Sequence, residues 1–370
     1  MQKQHRIGID CRLAGAEHAG IGRYLTHLVN GLVELNVPVT WVCVFRSEDQ
    51  AKKVLGDRFS KVEVVYTSAA HYSIAEQWKL PGLYRGLKLD LLHVPHFNVP
   101  FGYSGKMIVT IHDLLWHEYR GTQVTTLSSW QYWIKYAAYR WTVDKAVAKA
   151  RKILVPTHTI QDAILKYYPK AGHKVLVTLE GIDPELFKRK ARTGLPLQKR
   201  LIYVGSLYPH KNIRVVLDAL AHLKGYSLDI IGARNVFQDK VQRYVKEKGL
   251  EHRVQFLGYV SDQDVSELYA TSTALVQPSL SEGFGLTGVE AMAAGIPVLA
   301  SDIPIFREVY GKAAVFFDPH SSESFAEKLR GLEKQDRNKI IQSGKEWAKQ
   351  YQWSKMIEQT WQAYLLVLNT

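Results

Sequence analysis

Short runs of β-branched and aliphatic residues alternate along the chain with stretches whose apolar positions fall three or four residues apart. The runs predict strands at 6–10, 40–45, 62–66, 91–94, 106–111 and 152–156. They predict a second series at 200–205, 227–232, 254–258, 274–278, 297–300 and 314–317. Strands separated by helices imply an α/β chain with two parallel sheets, ligands at the carboxyl ends of the strands, and a cleft between the sheets. Between the series, Phe187 to Pro196 is charged, contains Gly and Pro and lacks periodicity, so it reads as a linker. This divides the chain into domains 1–190 and 198–350 and a last segment 351–370. There the spacing predicts a helix from Trp353 to Leu368, N-capped by Ser354, with Ile357, Trp361, Tyr364 and Leu368 on one face.

Length and composition narrow the class. At 370 residues the chain suits two or three domains. Cys11 and Cys43 are its two cysteines, both in strand-like segments, so no disulfide framework is expected and a reducing cytoplasm is the default. No signal-like apolar run follows Met1 and no stretch is long enough to span a bilayer, which points to a cytoplasmic protein at most peripheral to the membrane's inner face. The net charge of +13 is lopsided: residues 1–200 hold 29 Lys and Arg against 16 Asp and Glu, and the remainder balances. One-sided basic charge of this kind suits an anionic surface.

The densest candidate chemistry lies between Pro278 and Glu290. An apolar run, 274–276, stops at a proline and gives way to a glycine-rich loop, then to a helix predicted over Leu286 to Ala294. Glu282 lies in the loop and Glu290 in the helix. The glycines allow close backbone approach, and free N–H groups at the helix start suit a phosphate or diphosphate. The two carboxylates would accept hydrogen bonds from hydroxyls on either side of the phosphates, a sugar at one end and a ribose at the other. That pattern describes a nucleotide sugar.

The run Ser281-Glu282-Gly283-Phe284-Gly285-Leu286, followed by Glu290-Ala291-Met292-Ala293-Ala294-Gly295-Ile296-Pro297-Val298, resembles the retaining glycosyltransferases of family GT4. The resemblance implies the GT-B architecture, two Rossmann-like domains facing across a cleft with the last helix crossing back to the first domain. It implies an acceptor-binding first domain and a nucleotide-sugar-binding second one, no cofactor and no metal.

The family pattern extends to other segments. Leu201 to Asn212 is similar to its phosphate motif, with Gly205 at the turn and Lys211 as the lysine that contacts the donor diphosphate. His210 replaces a commoner arginine and Ser206 stands where a second arginine is frequent, so donor binding is expected to be weaker and, through His210, pH-dependent. Gly20-Ile21-Gly22-Arg23-Tyr24 resembles a loop whose backbone lies close to the diphosphate and donor sugar. His112 matches the active-site histidine, and Asp113 is expected to orient its ring or the turn. Base contacts are expected around 232–234 and at Tyr259 and Val260. His93 and His96 read as turn and packing residues around Pro95, since no spacing with His112 and His117 forms a zinc motif.

The segment Trp130 to Leu154 interleaves aromatic and basic residues, the composition of an interfacial membrane helix and equally of a helix packing its aromatics inward. No RNA-binding motif accompanies it, so nucleic acid is not an expected partner. The resemblance implies sugar transfer from a nucleoside-diphosphate sugar, with GDP-mannose the preferred donor, to a hydroxyl of a glycan or lipid-linked acceptor in surface polysaccharide or glycolipid synthesis. A sugar-nucleotide epimerase or hydrolase of the same fold and a non-catalytic binding subunit stay open at this point.

Overall fold

The computed structural model describes residues 4–121, 125, 128–188, 197–232, 236–258 and 260–370. The chain forms two compact units, Met1–Leu114 with Trp133–Gly181 and Trp353–Thr370, and Leu115–Tyr132 with Ile182–Gln352. Most of the expected linker, Tyr259 and residues 233–234 lie outside the described residues.

The first unit holds seven strands: β1 His5–Asp10, β2 Val39–Phe45, β3 Glu63–Tyr66, β4 Leu91–Val94, β5 Met107–Thr110, β6 Lys152–Val155 and β7 Val175–Val177. All pair in parallel, in the order β3-β2-β1-β4-β5-β6-β7. The order reverses between β1 and β4, which opens the carboxyl ends of these two strands to a ligand. Residues of β4 and β5 are buried throughout, as continuous apolar runs covered by helices on both faces should be. The terminal helix, Trp353–Leu368, belongs to this unit and packs on helix Ala19–Glu34 and on β4 and β6. Its buried stripe is Trp353, Met356, Thr360, Ala363, Tyr364 and Val367, so only Tyr364 of the four expected face residues is fully buried. Because the helix already begins at Trp353, Ser354 lies inside it rather than at its cap.

The second unit holds β8 Gln198–Val204, β9 Ser227–Ile231, β10 Val254–Gly258, β11 Ser272–Gln277, β12 Val298–Ser301 and β13 Val315–Phe317, all parallel, in the order β10-β9-β8-β11-β12-β13. Its reversal falls between β8 and β11. Leu201, Leu228, Ala274, Val276 and Leu299 from the strands pack with Val216, Leu217, Leu220, Phe325 and Leu329 from the covering helices. Among the described residues no helix is long and apolar enough to cross a membrane.

Candidate functional site

In the second unit the strands flanking the reversal, β8 and β11, deliver the two expected motifs side by side. β8 runs into Gly205 at φ +151°, then through a short turn, Pro209–Lys211, to helix Ile213–His222. β11 runs into the loop that carries Ser279 and Glu282. The Leu280 N–H donates to the His210 carbonyl at 2.7 Å and ties the two loops together. Lys211 Nζ lies 2.7 Å from Glu282 Oε1, and the Ser279 hydroxyl donates to the same oxygen at 2.7 Å. Burial works to raise the Glu282 pKa, but the Lys211 charge, the hydrogen bonds from Lys211 and Ser279 and nearby His210 together lower it, so the carboxylate stays ionised. Two residues 71 apart in sequence thus form one half-buried ion pair.

Backbone approach is built in by glycine. Gly205 N–H donates to the Ile231 carbonyl and Gly232 N–H to the Gly258 carbonyl, so the turns after β8, β9 and β10 lean on one another. A Cβ at Gly232, itself at φ +157°, would stand 2.4 Å from the Gly205 carbonyl oxygen. Helix Leu286–Ala294 starts where the sequence places it, capped by Gly285 at φ +91° with no side-chain cap; the Gly288 N–H donates to the Gly285 carbonyl, and those of Leu286 and Thr287 are the ones an anion would meet. Tyr310 supports this turn: its hydroxyl lies 2.7 Å from the Gly285 carbonyl and 2.6 Å from the Gln277 side-chain amide. Phe284 turns its side chain away to a buried edge contact with Tyr351, so it and buried Leu286 offer the site backbone groups. Glu290 is half-buried on the helix, Val260 and Ser206 are half-buried in their turns, and Gly283 lies in the loop beside Glu282.

His210 departs from expectation. Burial, then the neighbouring Lys211 charge, pushes its pKa down to about 4. The ring is therefore neutral around neutrality in the free protein.

In the first unit Gly20 to Tyr24 do not form a loop. They occupy the opening turns of helix Ala19–Glu34, which is preceded by a 3-10 turn, Ala16–His18. Gly22 is required because a Cβ there would stand 1.9 Å from the Gly15 carbonyl oxygen. Gly20 and Arg23 are exposed, Ile21 is half-buried, and Tyr24 is buried with its hydroxyl 3.2 Å from Thr110 Oγ1. His112 follows β5 and is buried, with Nδ1 3.3 Å from Glu180 Oε1. Glu180, rather than the expected Asp113, is the carboxylate at this ring nitrogen; it lies 68 residues away, where no local pattern could have flagged it.

His93 is not a turn residue. It sits in β4, bonded to Tyr364 at 2.6 Å and to Thr110 at 2.8 Å. His96 accepts from the Asn98 N–H and meets the Tyr72 hydroxyl. Beside it lies a buried charge cluster that no local sequence pattern marks: Arg12 binds Asp10 through two contacts and also meets Glu76, which in turn accepts from Asn98. Among the described residues no group of three or more His, Cys, Asp or Glu is arranged to hold a metal ion.

These histidines make stability pH-dependent. Burial lowers the pKa of His71 to about 4 and of His93 to about 3. Below the unfolded value of about 6.5 the unfolded chain takes up protons that the folded unit refuses. These two rings alone are therefore expected to take about 3–4 kcal/mol from the stability of the first unit between pH 7 and pH 5, and His96, whose pKa burial also pushes well down, adds to the fall. Thermal melts followed by circular dichroism across that range check this, and a flat profile would show that both rings protonate freely in the fold.

Comparison with known proteins agrees with the geometry. Residues 18–186 match the family model described as Glycosyltransferase Family 4, and residues 187–347 match the model described as Glycosyl transferases group 1. The chain belongs to the family 4 glycosyltransferases. It is 28% identical over 244 residues to the O-antigen chain mannosyltransferase RfbU of Salmonella typhimurium, covering 66% of this chain and 65%, just under two thirds, of that protein. It is 26% identical to the O-antigen chain mannosyltransferase B of Escherichia coli, covering 76% of each. Among solved structures, the glycosyltransferase WaaG aligns with TM-score 0.72 at 18% identity, covering 96% of this chain and 98% of WaaG. Anabaena Alr3699/HepE in complex with UDP and glucose aligns with TM-score 0.74 at 18% identity, covering 98% of this chain and all of that one. Both units of this glycosyltransferase thus have the Rossmann-like parallel sheets of the GT-B fold.

Proposed function

We propose that this glycosyltransferase moves mannose from GDP-mannose to a hydroxyl of a glycan or lipid-linked acceptor, with retention of anomeric configuration and without a divalent metal. The Lys211–Glu282 pair at the strand-order reversal of the second sheet carries the reading. Lys211, with the uncapped N-terminus of helix Leu286–Ala294, would stabilise the charge that builds on the departing diphosphate. Glu282 would hold hydroxyls of the donor sugar and Glu290 those of the ribose. The backbone from Gly283 to Leu286 and around Gly20 to Gly22 would approach the phosphates, with His112 assigned to the transferred sugar. The two O-antigen mannosyltransferases support the choice of mannose.

Thermal unfolding with GDP, UDP, ADP and dTDP, each with and without EDTA, tests the donor half. GDP at about 100 times its dissociation constant is expected to stabilise the protein by about 2.7 kcal/mol regardless of EDTA. No shift with any diphosphate would undercut the donor site.

The acceptor side involves a surface. On helix Ser129–Lys149, Trp133, Ile134 and Trp141 are at least half exposed, and Lys145 stands over the Trp141 ring. Exposed aromatics among cations on one helix are suited to an anionic bilayer interface, where a lipid-linked acceptor would be met. Vesicles rich in anionic lipid are expected to sediment the protein at low salt, and Trp133→Ser with Trp141→Ser to leave it in the supernatant. Failure of the unsubstituted protein to sediment would remove the membrane from this reading.

A further inference from the structure

Residues 67–73 leave the edge strand β3 and cross the carboxyl ends of the first sheet toward its strand-order reversal. The Thr67 N–H donates to the Phe45 carbonyl at the end of β2, the Ala69 carbonyl accepts from Arg12 just after β1, and the Tyr72 hydroxyl lies 2.9 Å from His96 Nε2 just after β4. The Ser73 N–H donates to the Ala70 carbonyl and closes a turn with Tyr72 at its third position, at φ +62°. That position calls for glycine or asparagine, and a large side chain there holds the backbone under strain. Among the described residues the other non-glycines at positive φ are Lys88, just past the end of helix Ile74–Gly86, and Asn212, a residue type that tolerates it.

The turn is held from behind. Glu76 accepts from the Tyr72 N–H at 3.0 Å and from the Asn98 side chain, and it meets Arg12. Arg12, Asp10 and Glu76 are inaccessible, whereas Tyr72 is 67% exposed. His96 Nδ1 accepts from the Asn98 N–H and burial keeps the ring neutral, so its proton is on Nε2 and is donated to the Tyr72 oxygen. The hydrogen of the Tyr72 hydroxyl is then left to be donated outward. A strained backbone and a buried charge network together hold one aromatic face, with an O–H at its edge, over the reversal.

We propose that Tyr72 binds the acceptor and determines its specificity: the ring takes the C–H face of one pyranose of the acceptor glycan, and the O–H donates to an oxygen of the same sugar. This rests on the transfer reaction proposed above. A pyranose has a face of C–H groups and a rim of hydroxyls, and the face of an aromatic ring, which is negative, suits the first while the phenol edge suits the second. An acyl chain would need a continuous apolar lining, which His96, Asn98 and Glu76 do not give. Arg12 cannot serve an anion, because it is inaccessible and committed to Asp10, Glu76 and the Ala69 carbonyl.

Saturation-transfer NMR of membrane-derived glycan, with and without GDP, reads binding independently of transfer. Tyr72→Gly relieves the strained turn and loses the contact to His96, two effects of opposite sign, so its melting midpoint is expected within about 2–4 °C of that of the unsubstituted protein. The dissociation constant of the glycan and its KM in transfer should nevertheless rise about 10–100-fold, with GDP affinity unchanged. Tyr72→Phe keeps the ring and loses the O–H, and should raise the same KM about 3–10-fold with little change in kcat. No binding of the glycan by the unsubstituted protein, or binding by Tyr72→Gly within about twofold of normal, would overturn the proposal, and in the second case intact transfer would leave the reaction itself standing. A parallel loss of GDP affinity in Tyr72→Gly would also overturn it, by showing that the substitution acts through the fold. If Tyr72→Gly does not fold, an acceptor KM in Tyr72→Phe equal to the normal one still refutes the O–H contact.

Discussion

Lys211→Ala is expected to lower sugar transfer by on the order of 10²–10³-fold, the range found when one preorganised donor to developing negative charge is removed. Two effects combine. The departing diphosphate loses its fixed cation, and Glu282 loses the partner that offsets its burial. Without Lys211 the desolvation of Glu282 is opposed only by Ser279 and His210, so its pKa rises and transfer by the variant should also fail sooner as pH is lowered. Glu282→Gln separates the two roles. It keeps a side chain that can reach Ser279 but removes the negative charge, so binding of free GDP should survive while transfer falls. Calorimetry with GDP beside a transfer assay distinguishes them. Transfer within a few-fold of normal in Lys211→Ala would show that the diphosphate is neutralised elsewhere.

Arg12→Met is expected to destabilise the first unit by about 3–5 kcal/mol, because it strands carboxylates in the core. Arg12 Nε and Nη2 lie 2.8 and 2.7 Å from the two Asp10 oxygens, Nη2 also meets Glu76, and Nη1 donates to the Ala69 carbonyl. All three charged residues are nearly inaccessible, at 5% for Asp10, 1% for Arg12 and 0% for Glu76. The two carboxylates gain unequally. Burial works to raise the Asp10 pKa, but its bidentate contact with Arg12 brings the net value below the ordinary range; Glu76, with one contact to Arg12, is raised by burial. Asp10 thus adds stability that is present above about pH 4 and is lost as pH falls through its folded value, and Arg12→Met removes it at neutral pH. For a unit of this size the loss corresponds to a drop of roughly 6–20 °C in the melting midpoint. A drop below about 2 °C would mean that the carboxylates find protons or water at little cost.

The fold was legible because burial on both sheet faces makes the inner strands, β4, β5, β11 and β12 among them, near-continuous runs of buried residues. All twelve expected strands are present. β7 escaped notice because Val175–Val177 is only three residues long, too short for any period to show. The donor-side motif was legible for a different reason: loop, glycine cap and helix are contiguous, and helix Leu286–Ala294 lies where the spacing predicts it. Gly20 to Tyr24 misled, since two glycines weaken a helical pattern even where Gly22 serves a backbone contact at the helix start. Glu180 and the Arg12 cluster were invisible because their partners are 68 and 64 residues away in sequence. Parallel crossovers bring such residues to one sheet edge, and no local spacing records it. His210 shows a related gap: its residue type suggests titration near neutrality, while its burial removes it.

The most direct measurement is a transfer assay with purified protein, isotopically labelled GDP-mannose and membrane-derived glycan acceptor, with the anomeric configuration of the product read by NMR coupling at C1. Label moving into the acceptor as an α-mannoside, in the presence of EDTA and far more slowly with Lys211→Ala, is the expected result. A product of inverted configuration, or label that moves from no nucleotide sugar although the protein is folded and binds GDP, would contradict it.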